Sequence, residues 1–196
     1  MIIGMTGGSG AGKSFISGIF AENGFVVVDA DAIAKEIMNG DVQLAESIRQ
    51  IFGEEYVTPE GKVDRRSLGK LVFADREKLE ILNGLTHPKI LAEIEKQAAL
   101  SENVVIDIPL LKGSSVEKLC DLKVAVLCPR EIRIKRIMQR DGIDEQTALN
   151  RLKSQLSDEE FVESTDVQII NNGKEDELKK QINEIIKRYV SDCSCE

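Results

Sequence analysis

The sequence predicts an α/β protein: a three-layer fold with a five-stranded parallel sheet between helices, carrying a helical insertion and a helical lid. Strand-like runs recur at Ile2–Thr6, 25–28, Val104–Asp107, 123–128 and Val167–Ile170. Their near-continuous apolar character suits strands buried on both faces. Helical patterns lie between these runs, the alternation expected of parallel strands joined by crossovers. The first run also leads straight into Gly7-Gly8-Ser9-Gly10-Ala11-Gly12-Lys13-Ser14, which opens a helical pattern.

Taken in order, residues 14–23 form the helix after the glycine stretch. The interval from Val28 to Val104 is too long for one crossover. It carries helical patterns near 32–38, 42–52, 66–72 and 89–100, with a turn at Thr58-Pro59-Glu60-Gly61. His87-Pro88 opens the last of these, with the proline in its first turn. This insertion is a natural place for a second substrate. After the fourth strand a helical pair runs from Pro129 to about Leu156, broken at Asp141-Gly142-Ile143-Asp144, with Asp144 as an N-cap. The final helix, residues 174–189, repeats Leu178, Ile182, Ile185, Ile186 and Tyr189 on one face, which closes over the sheet. One domain results: a core of about 1–31, 101–130 and 165–196, an insertion of about 32–100 and a lid of about 131–164.

The glycine stretch fits G-x-x-x-x-G-K-[ST], the phosphate-binding loop. Glycines without Cβ atoms let the backbone turn sharply and approach an anion. Backbone N–H groups and a helix N-terminus then favour negative charge. The expected ATP contacts are Gly8, Gly10, Ala11, Gly12, Lys13, Ser14 and Phe15. Lys13 reaches the β- and γ-phosphates, and the Ser14 hydroxyl ligates the Mg²⁺ that accompanies the nucleotide.

Composition narrows the partners. The chain has 196 residues, 42% of them hydrophobic, enough to bury a core. The net charge of −8, with no basic block and no Trp, argues against a nucleic-acid surface. An acidic polyphosphate binder must therefore concentrate positive charge locally. No apolar run approaches a membrane span, and no signal segment precedes the first strand, so a soluble cytoplasmic protein is expected, with a monomer favoured. Cys120, Cys128, Cys193 and Cys195 are irregularly spaced, which disfavours a disulfide framework. The C-x-C of Cys193 and Cys195 would need further ligands to hold a metal, and His87, the one histidine, is remote in sequence.

Four further groups stand out. Asp29 and Asp31 follow the second strand, where ligands of open α/β sheets bind. Either accepts a proton from an attacking hydroxyl, or caps the helix that follows. Arg133, Arg136 and Arg140 share one helical face, with Arg151 and Gln155 four residues apart on the next helix. They place guanidinium groups on the transferring phosphoryl, or form a solvated face paired with Asp141 and Glu145. Asp107, ending the third strand, stands where an acid meets Mg²⁺. His87 is a cap or packing residue, or a catalyst.

In order along the chain, Thr6-Gly7-Gly8, Gly12-Lys13-Ser14, Asp29-Ala30-Asp31, Phe52-Gly53, Asp64-Arg65-Arg66, Leu68, Val72-Phe73, His87-Pro88, Pro109-Leu110-Leu111, Arg136, Arg140, Arg151, Gln155, Asp166 and Asn171-Asn172-Gly173 resemble the dephospho-coenzyme A kinase family. The resemblance covers nearly the whole chain. It implies transfer of the ATP γ-phosphate to the ribose 3′-hydroxyl of dephospho-coenzyme A, and a P-loop core with an acceptor-binding region and a mobile lid. It implies Asp31 as the base, with Lys13, Thr6 and Arg140 in the same active site. Arg136 and Asn171 would lie toward ATP, and Arg65, Arg66, His87 and Asp107 toward the acceptor. Phe15, Lys112-Gly113 and Thr165 depart from the family's usual threonine, Phe-Glu and alanine. Another nucleoside or nucleotide kinase, or a non-catalytic nucleotide-binding switch, shares the phosphate loop. A guanine-reading N-K-x-D is absent from the sequence.

Overall fold

The computed structural model describes residues 1–189. Cys193 and Cys195 lie outside them. The elements in order are β1 (Ile2–Thr6), α1 (Lys13–Glu22), β2 (Val26–Asp29), α2 (Ala30–Gly40), α3 (Val42–Phe52), α4 (Arg65–Ala74), α5 (Arg76–Ala98), β3 (Val104–Asp107), β4 (Leu122–Leu127), α6 (Arg130–Asp141), α7 (Glu145–Lys153), α8 (Asp158–Glu163), β5 (Val167–Ile170) and α9 (Glu175–Tyr189). Short 3₁₀ turns fall at Glu54–Tyr56 and Ser115–Leu119. The chain divides into two compact units, one of Met1–Val28 with the chain from Ala98 onward, the other Asp29–Gln97.

In the first unit the predicted α/β fold is present, with strand order β2-β3-β1-β4-β5. β1 pairs in parallel with β3 on one side and β4 on the other, and β4 with β5. Ile3 and Met5 of β1 are fully buried, packed with Ile16 and Phe20 of α1 and with Leu178 and Ile182 of α9. The final helix thus covers the sheet with the face its periodicity marked. Because β1 is central, the loop that follows it opens between two neighbouring strands. Crevices at such strand ends are where α/β sheets bind ligands. The register sets Asp107 beside Met5 and Ala125 beside Thr6, so the end of β3 adjoins the start of the loop.

The second unit has its own core of Leu44, Ala45, Ile48, Val57, Val63, Leu68 and Val72. Aspartates start its helices. Asp29, ending β2, accepts from Ala32 N–H at 2.9 Å and caps α2. Asp64 accepts from the N–H groups of Arg66 and Ser67, each at 3.1 Å, and caps α4. One expectation fails here: His87-Pro88 does not open a helix but lies inside α5, which runs unbroken from Arg76 to Ala98. Asp75 starts it earlier, its carboxylate accepting from the N–H groups of Glu77 and Lys78 at 3.1 and 3.2 Å. Pro88 removes the N–H that would have bonded Gly84 four residues back. Gly84 is exposed, which leaves water to take that bond's place. A second correction is α8, a helix the sequence reading placed nowhere. Its signal was present, because Ser157 and Glu160 form a reciprocal capping box.

Asp41 both caps α3, accepting from Leu44 N–H at 2.9 Å, and pairs with Lys89 of α5 at 2.6 Å. The Lys89 hydrogen bond, then the Leu44 N–H, hold its carboxyl below the usual carboxylate value. A lowered folded value stabilises above the unfolded pKa of about 3.9 and is lost as pH falls through the folded value. The wild-type melting temperature should therefore drop as pH falls below about 4, and Asp41→Asn should flatten part of that drop. Melting curves across this range check it; an unchanged slope in the variant would contradict the assignment.

Candidate active site

The loop after β1 is shaped by what surrounds it. Gly12 sits at φ 90° ahead of α1, backbone that favours glycine. A Cβ on Gly8 would lie 2.0 Å from Arg133 Nη2, so a side chain there would push that guanidinium out of place. The Ala11 N–H bonds back to the Gly8 carbonyl at 3.1 Å, closing the turn. No side chain among the described residues caps α1. Its first N–H groups, which no helix satisfies internally, are left for an anion.

Lys13 lies at the base of the loop. Its Nζ donates to the Gly7 carbonyl at 3.3 Å and sits 3.6 Å from Asp107 Oδ1. Ser17, one turn along α1, donates from its hydroxyl to the Lys13 carbonyl at 3.1 Å or to Asp107 Oδ2 at 3.4 Å. The side chains of Lys13 and Asp107 are both largely shielded, 18% and 13% exposed, so their attraction is screened less than at the surface. Ser14 and Phe15 are exposed on the first turn of α1. Thr6 is buried and donates to the Pro109 carbonyl at 2.9 Å, tying the end of β1 to the chain after β3.

The arginine face is divided. Arg136 reaches the loop, donating to the carbonyls of Gly10 at 3.2 Å and Ala11 at 3.4 Å. Arg133 does the same at the Ser9 carbonyl, 3.0 Å away. Arg140 turns instead to Asp141 with two bonds of 2.8 and 3.0 Å, and Arg151 pairs with that same carboxylate. Seven residues along a helix is about 10 Å, which separates Arg140 from the point where Arg133 meets the loop. Asn171, 1% exposed, donates to the Ala11 carbonyl at 2.7 Å and accepts from Arg136 Nη2 at 3.4 Å. Beneath it, burial pushes the Cys128 thiol up although Arg136 and Arg133 pull the other way, which makes it a neutral packing group.

Of the other candidate residues, Asp31 lies in the first turn of α2 and is not its cap, since Asp29 fills that place. Arg65 and Arg66 are exposed at the start of α4, and His87 is exposed within α5. The residue least visible in the sequence was Ser9, at a variable loop position, whose three polar groups are all engaged. Asp158, paired with Arg133 at 3.1 Å, carried no sequence signal for that role.

Carbonyls of the loop are held from behind while its helix-end N–H groups are left open to negative charge, and this sheet order surrounds them; such a molecule is a P-loop kinase. The dephospho-CoA kinase (CoaE) family model matches residues 1–177. The chain belongs to the dephospho-CoA kinase family, and is an ATP-dependent kinase. A dephospho-CoA kinase of Carboxydothermus hydrogenoformans is 39% identical over 193 residues, spanning 96% of this chain and 94% of that protein. A crystal structure from Thermus thermophilus superposes with a TM-score of 0.83 at 29% identity, over 96% of this chain and 97% of the other. The dephospho-CoA kinase from Campylobacter jejuni does so with a TM-score of 0.69 at 30% identity, over 95% of each chain.

Proposed function

We propose that this protein transfers the γ-phosphate of ATP to the ribose 3′-hydroxyl of dephospho-CoA, giving CoA and ADP, as a cytoplasmic monomer with no nucleic-acid partner. Family membership supports the reaction. The observation that carries it is the placement of Lys13 between the Gly7 carbonyl and the Asp107 carboxylate, at the mouth of a helix N-terminus. A cation for the phosphates and an acid for their metal meet there. No helix among the described residues is long and apolar enough to cross a membrane.

In this reading Gly8, Gly10, Ala11, Gly12, Lys13, Ser14 and Phe15 form the ATP cradle, with Arg136 and Asn171 on its adenine side. Lys13 neutralises the β- and γ-phosphates, and Arg140 of the lid (about 131–164), paired here with Asp141, would have to leave that carboxylate to meet the charge that develops in transfer. Mg²⁺ fits the donors, since Ser14 and Asp107 offer hard oxygen ligands. Among the described residues no cluster of three or more His, Cys, Asp or Glu side chains forms a metal cage. Held by Ser14 and Asp107 together with the nucleotide, the ion would neutralise phosphate charge there. Asp31 accepts the proton of the attacking hydroxyl. Thr6 holds the chain after β3 through Pro109, which keeps Asp107 in place. Arg65, Arg66 and His87 of the acceptor-binding insertion (about 32–100) bind the acceptor, the two arginines as anion ligands.

ADP release with Mg²⁺ and ATP should depend on dephospho-CoA, and mass spectrometry should show CoA as product. A panel of nucleosides and nucleoside monophosphates should release little ADP. Turnover on a panel member in place of dephospho-CoA would reassign the acceptor.

A further inference from the structure

Three elements of the first unit are joined at Ser9 by two side chains. Arg133 of α6 is 7% exposed, and each arm of its guanidinium is engaged. Nε donates to the Ser9 carbonyl at 3.0 Å, Nη2 to Gln155 Oε1 at 3.2 Å and Nη1 to Asp158 Oδ1 at 3.1 Å. Gln155 lies in the turn between α7 and α8. Its Oε1 also accepts from Ser9 N–H at 2.9 Å, and its Nε2 donates to Ser9 Oγ at 2.6 Å. Asp158 is the first residue of α8, fixed there by the Ser157–Glu160 capping box. A buried guanidinium requires such partners, because an unpaired buried charge is strongly destabilising.

We propose that Arg133 and Gln155 are positioning residues for the phosphate site. They hold Ser9 by its N–H, carbonyl and hydroxyl, and so set the loop on either side of it before nucleotide arrives. The bonds of Arg133 and Arg136 to the loop go to carbonyls, and Gln155 engages Ser9 alone, so the N–H groups of Gly10, Gly12, Lys13 and Ser14 are spared. A loop this rich in glycine loses much conformational freedom on ordering. Ordering it in advance with these part-buried bonds removes that cost from polyphosphate binding. The same contacts tie the cradle to the α7–α8 turn of the lid.

The test is Gln155→Met, which keeps side-chain length and removes both the Oε1 acceptor and the Nε2 donor to Ser9 Oγ. ADP should bind about tenfold more weakly, because the Ser9 N–H and Arg133 Nη2 lose the acceptor they share. The KM for ATP should rise by the same factor, with kcat within about twofold, because ground state and transition state lose the tether equally. AMP, which lacks the β-phosphate, should bind as in the wild type, and the Ser9 amide should exchange hydrogen faster. A lowered melting temperature with unchanged ADP binding and KM would overturn the proposal, as would equal weakening of ADP and AMP. If Gln155→Met does not fold, Asp158→Asn reaches Arg133 from its far side. It should weaken ADP about threefold while sparing AMP, and unchanged ADP binding would be equally fatal. These binding readouts need no acceptor, so they stand apart from the assignment of dephospho-CoA.

Discussion

Lys13→Ala is expected to lower kcat/KM for ATP by about 10²–10³-fold, the size seen when one preorganised donor is removed from a transition state. Two effects combine. The β- and γ-phosphates lose the cation that follows them through transfer. The Asp107 carboxylate, now 3.6 Å from the ammonium, then meets the nucleotide's charge without that ammonium. ADP affinity should fall with catalysis, because the lysine serves bound and reacting phosphates alike. Steady-state kinetics and calorimetry with ADP check this. A variant with wild-type turnover would remove Lys13 from the phosphate site and leave it as a partner of Asp107.

Asp31→Asn is expected to behave differently. It should lower kcat by about 10²–10⁴-fold, the contribution of a general base, while ATP binding changes little. The helix start does not complicate the result, because Asp29 supplies the cap of α2 at 2.9 Å. Melting temperature should stay near wild type, whereas Asp29→Ala should cost roughly 1 kcal/mol of helix stability. Parallel losses in turnover and ATP affinity for Asp31→Asn would argue for a role in ordering the site.

Local chemistry explains why some of this was legible in sequence. The strands are short apolar runs; the central β1, β3 and β4 are buried almost throughout, while the edge strands β2 and β5 keep Val26 and Ile170 exposed. The phosphate loop is a contiguous octapeptide, and its chemistry follows from missing Cβ atoms and one lysine. Misreadings occurred where two local signals competed. Pro88 is a good first-turn residue, yet the Asp75 cap and the exposed backbone at Gly84 let α5 begin earlier and continue through it. At Asp29 and Asp31 nothing was misread: the spacing left cap and base both open, and the hydrogen bond to Ala32 N–H gave the cap to Asp29.

The arginines show the other limit. Helical spacing put Arg133, Arg136 and Arg140 on one face, and nothing in a single sequence separates them. Only packing did: the start of α6 meets the loop, so Arg133 and Arg136 take its carbonyls, while Arg140 near the helix end meets Asp141. Asn171 likewise came to lie beneath Ala11 through the pairing of β4 with β5. By itself the sequence determined the strands, the phosphate loop and the family, because each depends on residues close together in the chain or on their order. The tertiary structure decided which polar side chains hold the loop, since that depends on hydrogen bonds of about 3 Å between residues more than a hundred positions apart.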